Sequence, residues 1–167
     1  RALAEHLRAL RAEGGELGDY GDRLLPAMVG AGSVASHRHE GYWRDLGTPE
    51  SYLQGNLDLL GDRPGLRLDD PAWPILTSMP TRAPARVRRG AELDDAWLSP
   101  GADVAGRVVH SIVGPGARVE AGAEVRHSVL MADSVVRAGA TVQRAVLAEH
   151  VQVGRGARLG AANATHP

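Results

Sequence analysis

The 167-residue sequence contains no cysteine, no phenylalanine and no lysine, so that all 19 basic residues are arginine. The absence of cysteine excludes disulfides, thiolate catalysis and zinc or iron–sulfur sites built on cysteine ligands. Without lysine, the chain cannot form a Schiff base or hold a substrate phosphate with a P-loop lysine. Several classes of chemistry are therefore excluded.

Charge and hydropathy limit the partners and the location that we expect for the protein. The net charge is −1 and no long run of one sign occurs, which argues against a nucleic-acid partner. No apolar run approaches the roughly 18 residues of a membrane span, and no signal peptide is visible. We expect a cytoplasmic protein without a membrane partner. Because the chain begins at Arg1, within a predicted helix, we also expect it to be a piece of a longer protein.

A repeat runs from about residue 85 to residue 160. Aliphatic residues recur every six positions in three series, which are Val113, Val119 and Val125; Leu130, Val136 and Val142; and Leu147, Val153 and Leu159. Gly-Ala pairs lie between them, at residues 116–117, 122–123, 139–140 and 156–157. A six-residue step fits one side of a triangular coil, with the aliphatic residue inside. The repeat resembles a left-handed parallel β-helix of about three and a half to four turns, so we expect a mainly β fold. A narrow prism also explains the lack of phenylalanine.

Four residues take the same place in successive turns, namely Asp95, His110, His127 and Arg144. We expect their side chains to stack in one column, where His127 should resist protonation because its neighbours are a histidine and an arginine. A catalytic histidine, as in the hexapeptide acyltransferases, is one interpretation. Corner residues with hydrogen-bonding side chains are the other, which the sequence favours because no acyl-carrier signature accompanies the histidines.

The first 84 residues lack the repeat. A helix with Leu3, Leu7 and Leu10 on one face is predicted to end at Gly14 and Gly15, and a second short helix and a strand at residues 33–37 follow. A third helix is predicted to begin at the N-cap Thr48 and Pro49, to continue to Leu60, and to close at Gly61. Residues 61–84 form a linker with five prolines, among them Pro80, in which Trp73 and Ile75 are apolar enough to dock elsewhere.

The segment Gly41–Thr48, with the sequence GYWRDLGT, carries the chemistry. Asp45 offers a hard oxygen ligand for a divalent cation, and Gly47 permits close approach of the backbone. From the residues alone, an ion pair between Asp45 and Arg44, and a core position for Trp43, are at least as reasonable.

Three motifs in order resemble the nucleotide-sugar pyrophosphorylases, and among them most nearly the glucose-1-phosphate adenylyltransferases. GYWRDLGT followed by ESYLQGNLDLL is similar to their GYWRDVGT, aromatic-rich helix and N-x-D-L pattern. DYGDRLLP at residues 19–26 is similar to their DFGxDIIP, and WPILT at residues 73–77 to their WPIxT. With the hexapeptide tail, these motifs cover nearly the whole chain.

The resemblance implies that residues 1–60 are an α/β remnant at the end of a nucleotidyltransferase catalytic domain. It also implies that residues 61–84 are a Pro-rich linker and that residues 85–167 are the left-handed β-helix. It implies transfer of the adenylyl group of ATP to glucose 1-phosphate, with Mg²⁺, to give ADP-glucose for glycogen-type synthesis. Asp45 would bind the metal, while Trp43, Arg44 and Gly47 would shape the sugar-phosphate side. A homo-oligomer, commonly a homotetramer in such enzymes, would assemble through the β-helix.

The departures from the family pattern leave alternatives open. The family's glycine-rich nucleotide loop, first metal-binding aspartate and phosphate-binding lysine have no counterpart here, so no complete catalytic set is expected and the 167 residues alone should show no turnover. Arg23 replaces an acid, and Leu53 and Gln54 replace larger aromatic residues. Another pyrophosphorylase, such as a mannose-1-phosphate guanylyltransferase, or a non-catalytic module for oligomerisation and regulation, remains an alternative.

Overall fold

The structure is a computed structural model that describes residues 2–14, 16–68, 70–77 and 81–160. Gly15, Pro80 and residues 161–167, on which the sequence made predictions, lie outside this part. The chain divides into two compact units, Arg1–Gly41 and Tyr42–Pro167. Among the described helices, none has both the length and the apolar character that crossing a bilayer requires.

The first unit is helical. Helix α1 spans Ala2–Ala12, and a π-helical turn at Tyr20–Leu24 leads directly into α2, Leu25–Gly30. Both predicted helices are therefore confirmed, and Leu10 is buried although Leu3 is half exposed. The predicted strand at residues 33–37 is wrong, because residues 33–40 have no regular structure and no strand of the described residues pairs with them.

The second unit begins with helix α3 and continues into a left-handed parallel β-helix of about four turns, as predicted. Helix α3 spans Pro49–Leu57 and so ends three residues before the predicted end. Thr48 accepts a hydrogen bond from the Ser51 N–H and forms a capping box with it. The described parts of residues 61–84 contain neither helix nor strand, and Trp73 is 83% exposed.

The first wall of the β-helix consists of two-residue strands: β1 Arg86–Val87, β3 Asp103–Val104, β5 Arg118–Val119, β8 Val135–Val136 and β11 Gln152–Val153. The second wall contains β6 Glu124–Arg126, β9 Thr141–Gln143 and β12 Arg158–Leu159, and the third contains β7 Val129–Leu130 and β10 Val146–Leu147. Two longer strands, β2 Glu92–Leu98 and β4 Arg107–Val113, belong to both of these walls. All strand pairs are parallel, and each strand lies beside its counterpart in the next turn.

The interior of the β-helix is filled by the predicted aliphatic residues. Eight of the nine members of the three series are at most 7% exposed. The exception is Leu159, which is 41% exposed because β12 is the last described strand and no described strand covers it. The largest fully buried side chain is Leu130, which agrees with a prism too narrow for a ring at every level.

Glycine is required at one corner by a close contact. Arg82 donates to both carboxylate oxygens of Asp133, at 2.8 Å each, and this ion pair passes directly over Gly116. A Cβ at Gly116 would collide with both side chains, and its φ of +69° also favours glycine. The Arg82–Asp133 pair therefore ties the chain before the first strand to the β-helix.

Candidate functional site

The segment Gly41–Thr48 lies immediately before helix α3, and its position depends on that helix. The Thr48 N–H donates to the Ser51 hydroxyl at 3.0 Å, and the Ser51 N–H donates to Thr48 Oγ1 at 3.1 Å. These bonds satisfy groups that a helix N-terminus otherwise leaves unpaired. The segment is therefore joined to α3 by a defined turn.

Arg44 pairs with Asp58, not with its neighbour Asp45. Arg44 Nε and Nη2 each lie 2.6 Å from Asp58 Oδ2, and the Tyr42 hydroxyl donates to the same oxygen at 2.8 Å. Partial burial alone would raise the pKa of Asp58, but hydrogen bonds from Gln54, Tyr42 and Arg44 lower it overall. The hydrogen bonds with Tyr42 and Asp58 raise the pKa of Arg44. This network fixes the first half of the segment against the end of α3.

Asp45 and Trp43 point away from that network. Asp45 is exposed, and no described residue forms a hydrogen bond or an ion pair with its carboxylate. Trp43 is 77% exposed, so it is not a core residue of the described chain. A Cβ at Gly47 would lie 3.5 Å from both carboxylate oxygens of Asp45, and glycine leaves that side of the carboxylate open.

The described residues contain no group of three or more histidine and acidic side chains arranged to hold a metal ion. Asp45 is thus a single open carboxylate here. A cleft of about 400 Å³ opens on the other side of the segment, lined by Tyr42, Arg44 and Leu46 and by residues of α3. Asp45 and Trp43 do not line this cleft.

An apolar seam holds α3 on the third wall of the β-helix. Leu53, Leu57 and Leu60 are 4–7% exposed and pack against Val129, with Ile112 and Val146 at the edge. Leu53, at which the resemblance led us to expect a larger aromatic residue, is buried. A nine-residue helix is marginal alone, so this seam is the main support of α3.

The predicted column exists and forms the corner between the second and third walls. Asp95, His110, His127 and Arg144 all have a positive φ, between 42° and 48°, and stand at equivalent places of four turns. His110 Nδ1 lies 2.5 Å from Asp95 Oδ2, and the His110 and His127 ring centroids are 5.3 Å apart. We call these four residues the corner ladder.

The electrostatics of the corner ladder follow its stacking. Desolvation lowers the pKa of His127, and the charges of His110, Arg144 and Arg126 lower it further, as the sequence predicted. Desolvation alone would raise the pKa of Asp95, but hydrogen bonds from the Gly61 N–H and His110 lower it overall. Both ends of the ladder make hydrogen bonds, as expected if these four are corner residues with hydrogen-bonding side chains.

Comparison with known proteins decides the family. A family model described as GlmU-like, C-terminal hexapeptide, matches residues 82–166, which is half of the chain. The chain belongs to this hexapeptide family. Its parallel β-helix, with aliphatic residues inside and glycines at the corners, is the structural expression of those repeats.

The chain is also similar in sequence to several glucose-1-phosphate adenylyltransferases. The chain is 35% identical over 138 residues to a glucose-1-phosphate adenylyltransferase of Streptomyces avermitilis. The aligned stretch covers 75% of this chain and 34% of the relative. The chain is 33% identical to the enzyme of that name from Acetivibrio thermocellus, over 85% of this chain and 34% of the relative. With the Thermomicrobium roseum enzyme, it shares 42% identity over half of its length and 19% of the relative's. The chain thus spans about a third or less of these relatives.

The likeness is not confined to the repeats. An aligned stretch that covers 85% of 167 residues leaves out only about 25 residues, so it includes the segment Gly41–Thr48 wherever it begins. The resemblance inferred from the motifs is therefore confirmed at the level of sequence similarity.

Two residues of the site region escaped the sequence analysis. Asp58 is the acidic partner of Arg44, and it stands in the N-x-D-L pattern that was noted only as a family signature. Glu50, in the first turn of α3, contacts the corner ladder through Arg144 at 3.1 Å. Asp58 could have been found by searching for a partner for Arg44, whereas no local signal links Glu50 to a residue 94 positions away.

Proposed function

We propose that this chain is the C-terminal part of a sugar-1-phosphate nucleotidyltransferase that makes ADP-glucose and pyrophosphate from ATP and glucose 1-phosphate. The observation that carries the proposal is the similarity to glucose-1-phosphate adenylyltransferases across the segment Gly41–Thr48 as well as the repeats. A module that served only for oligomerisation would need no such segment.

Asp45 is the residue that we assign to the metal, by its place in the GYWRDLGT motif. Its exposed carboxylate, open beside Gly47 and without a described partner, suits a hard divalent cation such as Mg²⁺. The remaining ligands have to come from outside the described residues or from substrate phosphates, because these residues hold no three-ligand group. When bound, the metal would reduce the charge repulsion between the reacting phosphates.

We assign different roles to the residues beside Asp45. Arg44 is committed to Asp58, so we assign it to holding the segment in place instead of binding a free phosphate. Trp43 and Gly47 lie on the exposed side with Asp45, which is where the sugar phosphate would bind. We further propose that the protein works in the cytoplasm as a homo-oligomer whose subunits meet through the β-helix.

The test uses the complete gene product that carries this chain, with Asp45→Asn and Asp94→Asn as matched variants. Asp94 is an exposed aspartate on β2, far from the segment in sequence. We expect Asp45→Asn to lower ADP-glucose synthesis at least roughly 10–100-fold, the loss that even an outer partner of a metal brings, and to raise the Mg²⁺ concentration needed.

Asp94→Asn should have no effect on synthesis. The 167 residues alone should release no pyrophosphate from ATP, glucose 1-phosphate and Mg²⁺. Full activity of Asp45→Asn, or no ADP-glucose from the complete protein, would reject the proposal.

A further inference from the structure

Helix α3 is bonded to the corner ladder in its first turn and through the turn that follows its C-terminal end. Near its first turn, Glu50 Oε1 accepts from Arg144 Nη2 at 3.1 Å. In the turn that follows α3, four residues beyond Leu57, the Gly61 N–H donates to Asp95 Oδ1 at 2.8 Å. The two contacts are made to opposite ends of one column, because Asp95 lies in the first of the four turns and Arg144 in the last.

The polar contacts fix the position of α3 along the β-helix axis, which the apolar seam cannot do. Packing of Leu53, Leu57 and Leu60 favours contact but has no preferred direction, so it tolerates small shifts along the wall. Hydrogen bonds at both ends are directional, and together they fix the position of α3 along the β-helix axis. His110 keeps Asp95 in place by binding the oxygen that Gly61 does not use.

The N-terminal end of α3 is continuous with the segment Gly41–Thr48. Glu50 follows Thr48, the N-cap residue, by two positions, and Thr48 follows Gly47 directly. The capping box transmits a displacement of the first helical turn to this segment. Asp58, the partner of Arg44, lies at the other end of the helix and would move with it.

We propose that Arg144 and Asp95 are positioning residues, which act through α3 to place the segment Gly41–Thr48 for nucleotidyl transfer. This inference rests on the proposed function in that the segment is taken as part of the active site. It gives the β-helix a direct share in the geometry of that site.

The first arm of the test measures amide hydrogen exchange of residues 51–57 in the 167-residue protein, which needs no activity. Arg144→Gln should speed exchange roughly two- to fivefold, the range expected for a solvent-exposed ion pair. Asp95→Gly keeps the left-handed backbone while it removes the carboxylate, and it should speed exchange more. Asp95→Asn, which retains an acceptor oxygen, should restore most of the protection. Arg126→Gln is the control, because Arg126 pairs with Glu124 within β6, on the second wall, and not with a residue of α3.

The second arm measures kinetics in the complete protein. Arg144→Gln and Asp95→Gly should lower kcat several-fold more than they change KM, assayed well below the melting temperature of each variant, and Arg144→Lys should recover part of kcat. Unchanged exchange in α3, or faster exchange with unchanged kcat, would overturn the inference. Failure of the proposed function would appear elsewhere, as full activity of Asp45→Asn.

Discussion

Two serines replace backbone acceptors where the corner ladder interrupts the strand pairing. Ser111 and Ser128 are fully buried and directly follow His110 and His127. Ser128 Oγ donates to the Arg126 carbonyl at 2.6 Å and accepts from the Ala145 N–H at 3.2 Å. Each serine therefore accepts from a backbone N–H of the next turn and donates to a backbone carbonyl within a buried corner.

Replacing Ser128 by alanine should destabilise the β-helix by about 1–3 kcal/mol. The substitution leaves the Ala145 N–H without its acceptor, and an unsatisfied buried donor costs about that amount. The small loss of volume, one oxygen atom, adds little, and alanine already occupies the equivalent corner places 96 and 145. For a chain of this size, each kcal/mol lowers the melting temperature by about 2–4 °C.

The assay combines urea unfolding with amide exchange at single residues. Ser128→Ala should speed exchange at the Ala145 amide, and Ser111→Ala should speed it at the Ser128 amide, which donates to Ser111 Oγ at 3.0 Å. Each variant thus serves as the control for the other. A loss below about 0.5 kcal/mol, or the same amides affected in both variants, would refute the assigned role of the hydroxyls.

Two further perturbations follow from burial and charge. Leu130→Ala, at a fully buried interior position, should cost about 2–5 kcal/mol in urea unfolding, and a smaller loss would mean that the prism collapses around the cavity. The pKa of His127 lies below its usual 6.5, so stability should be full above about pH 6.5 and fall as the pH drops towards the lowered pKa. His127→Asn should remove this decline in the urea midpoint, whereas the separate loss below about pH 3.8 should persist, because Asp103 and Asp133 also have lowered pKa values.

The β-helix could be predicted from the sequence because its determinants are local and repeated. A six-residue period identifies the interior side chains, and the 15- and 17-residue offsets place Asp95 beside His110 and His127 beside Arg144. The same reasoning fails at the last described strand, where the six-residue pattern continues but no described strand covers it. Leu159 keeps the period of an interior residue and is nevertheless 41% exposed. Periodicity reports which way a side chain points, and burial also requires a neighbour.

The candidate site was less predictable, because its geometry depends on partners outside the motif. Adjacency in the sequence suggested Asp45 as the partner of Arg44, but consecutive side chains need not point to the same side. Arg44 therefore turns towards Asp58 at the end of α3, and Asp45 is left open on the other side. This division is what the proposed function requires, since a carboxylate already neutralised by Arg44 would be a poor ligand for a cation. The carboxylate of Asp45 stays open only where α3 places Asp58 beside Arg44. The position of α3 in turn depends on the β-helix on which it packs.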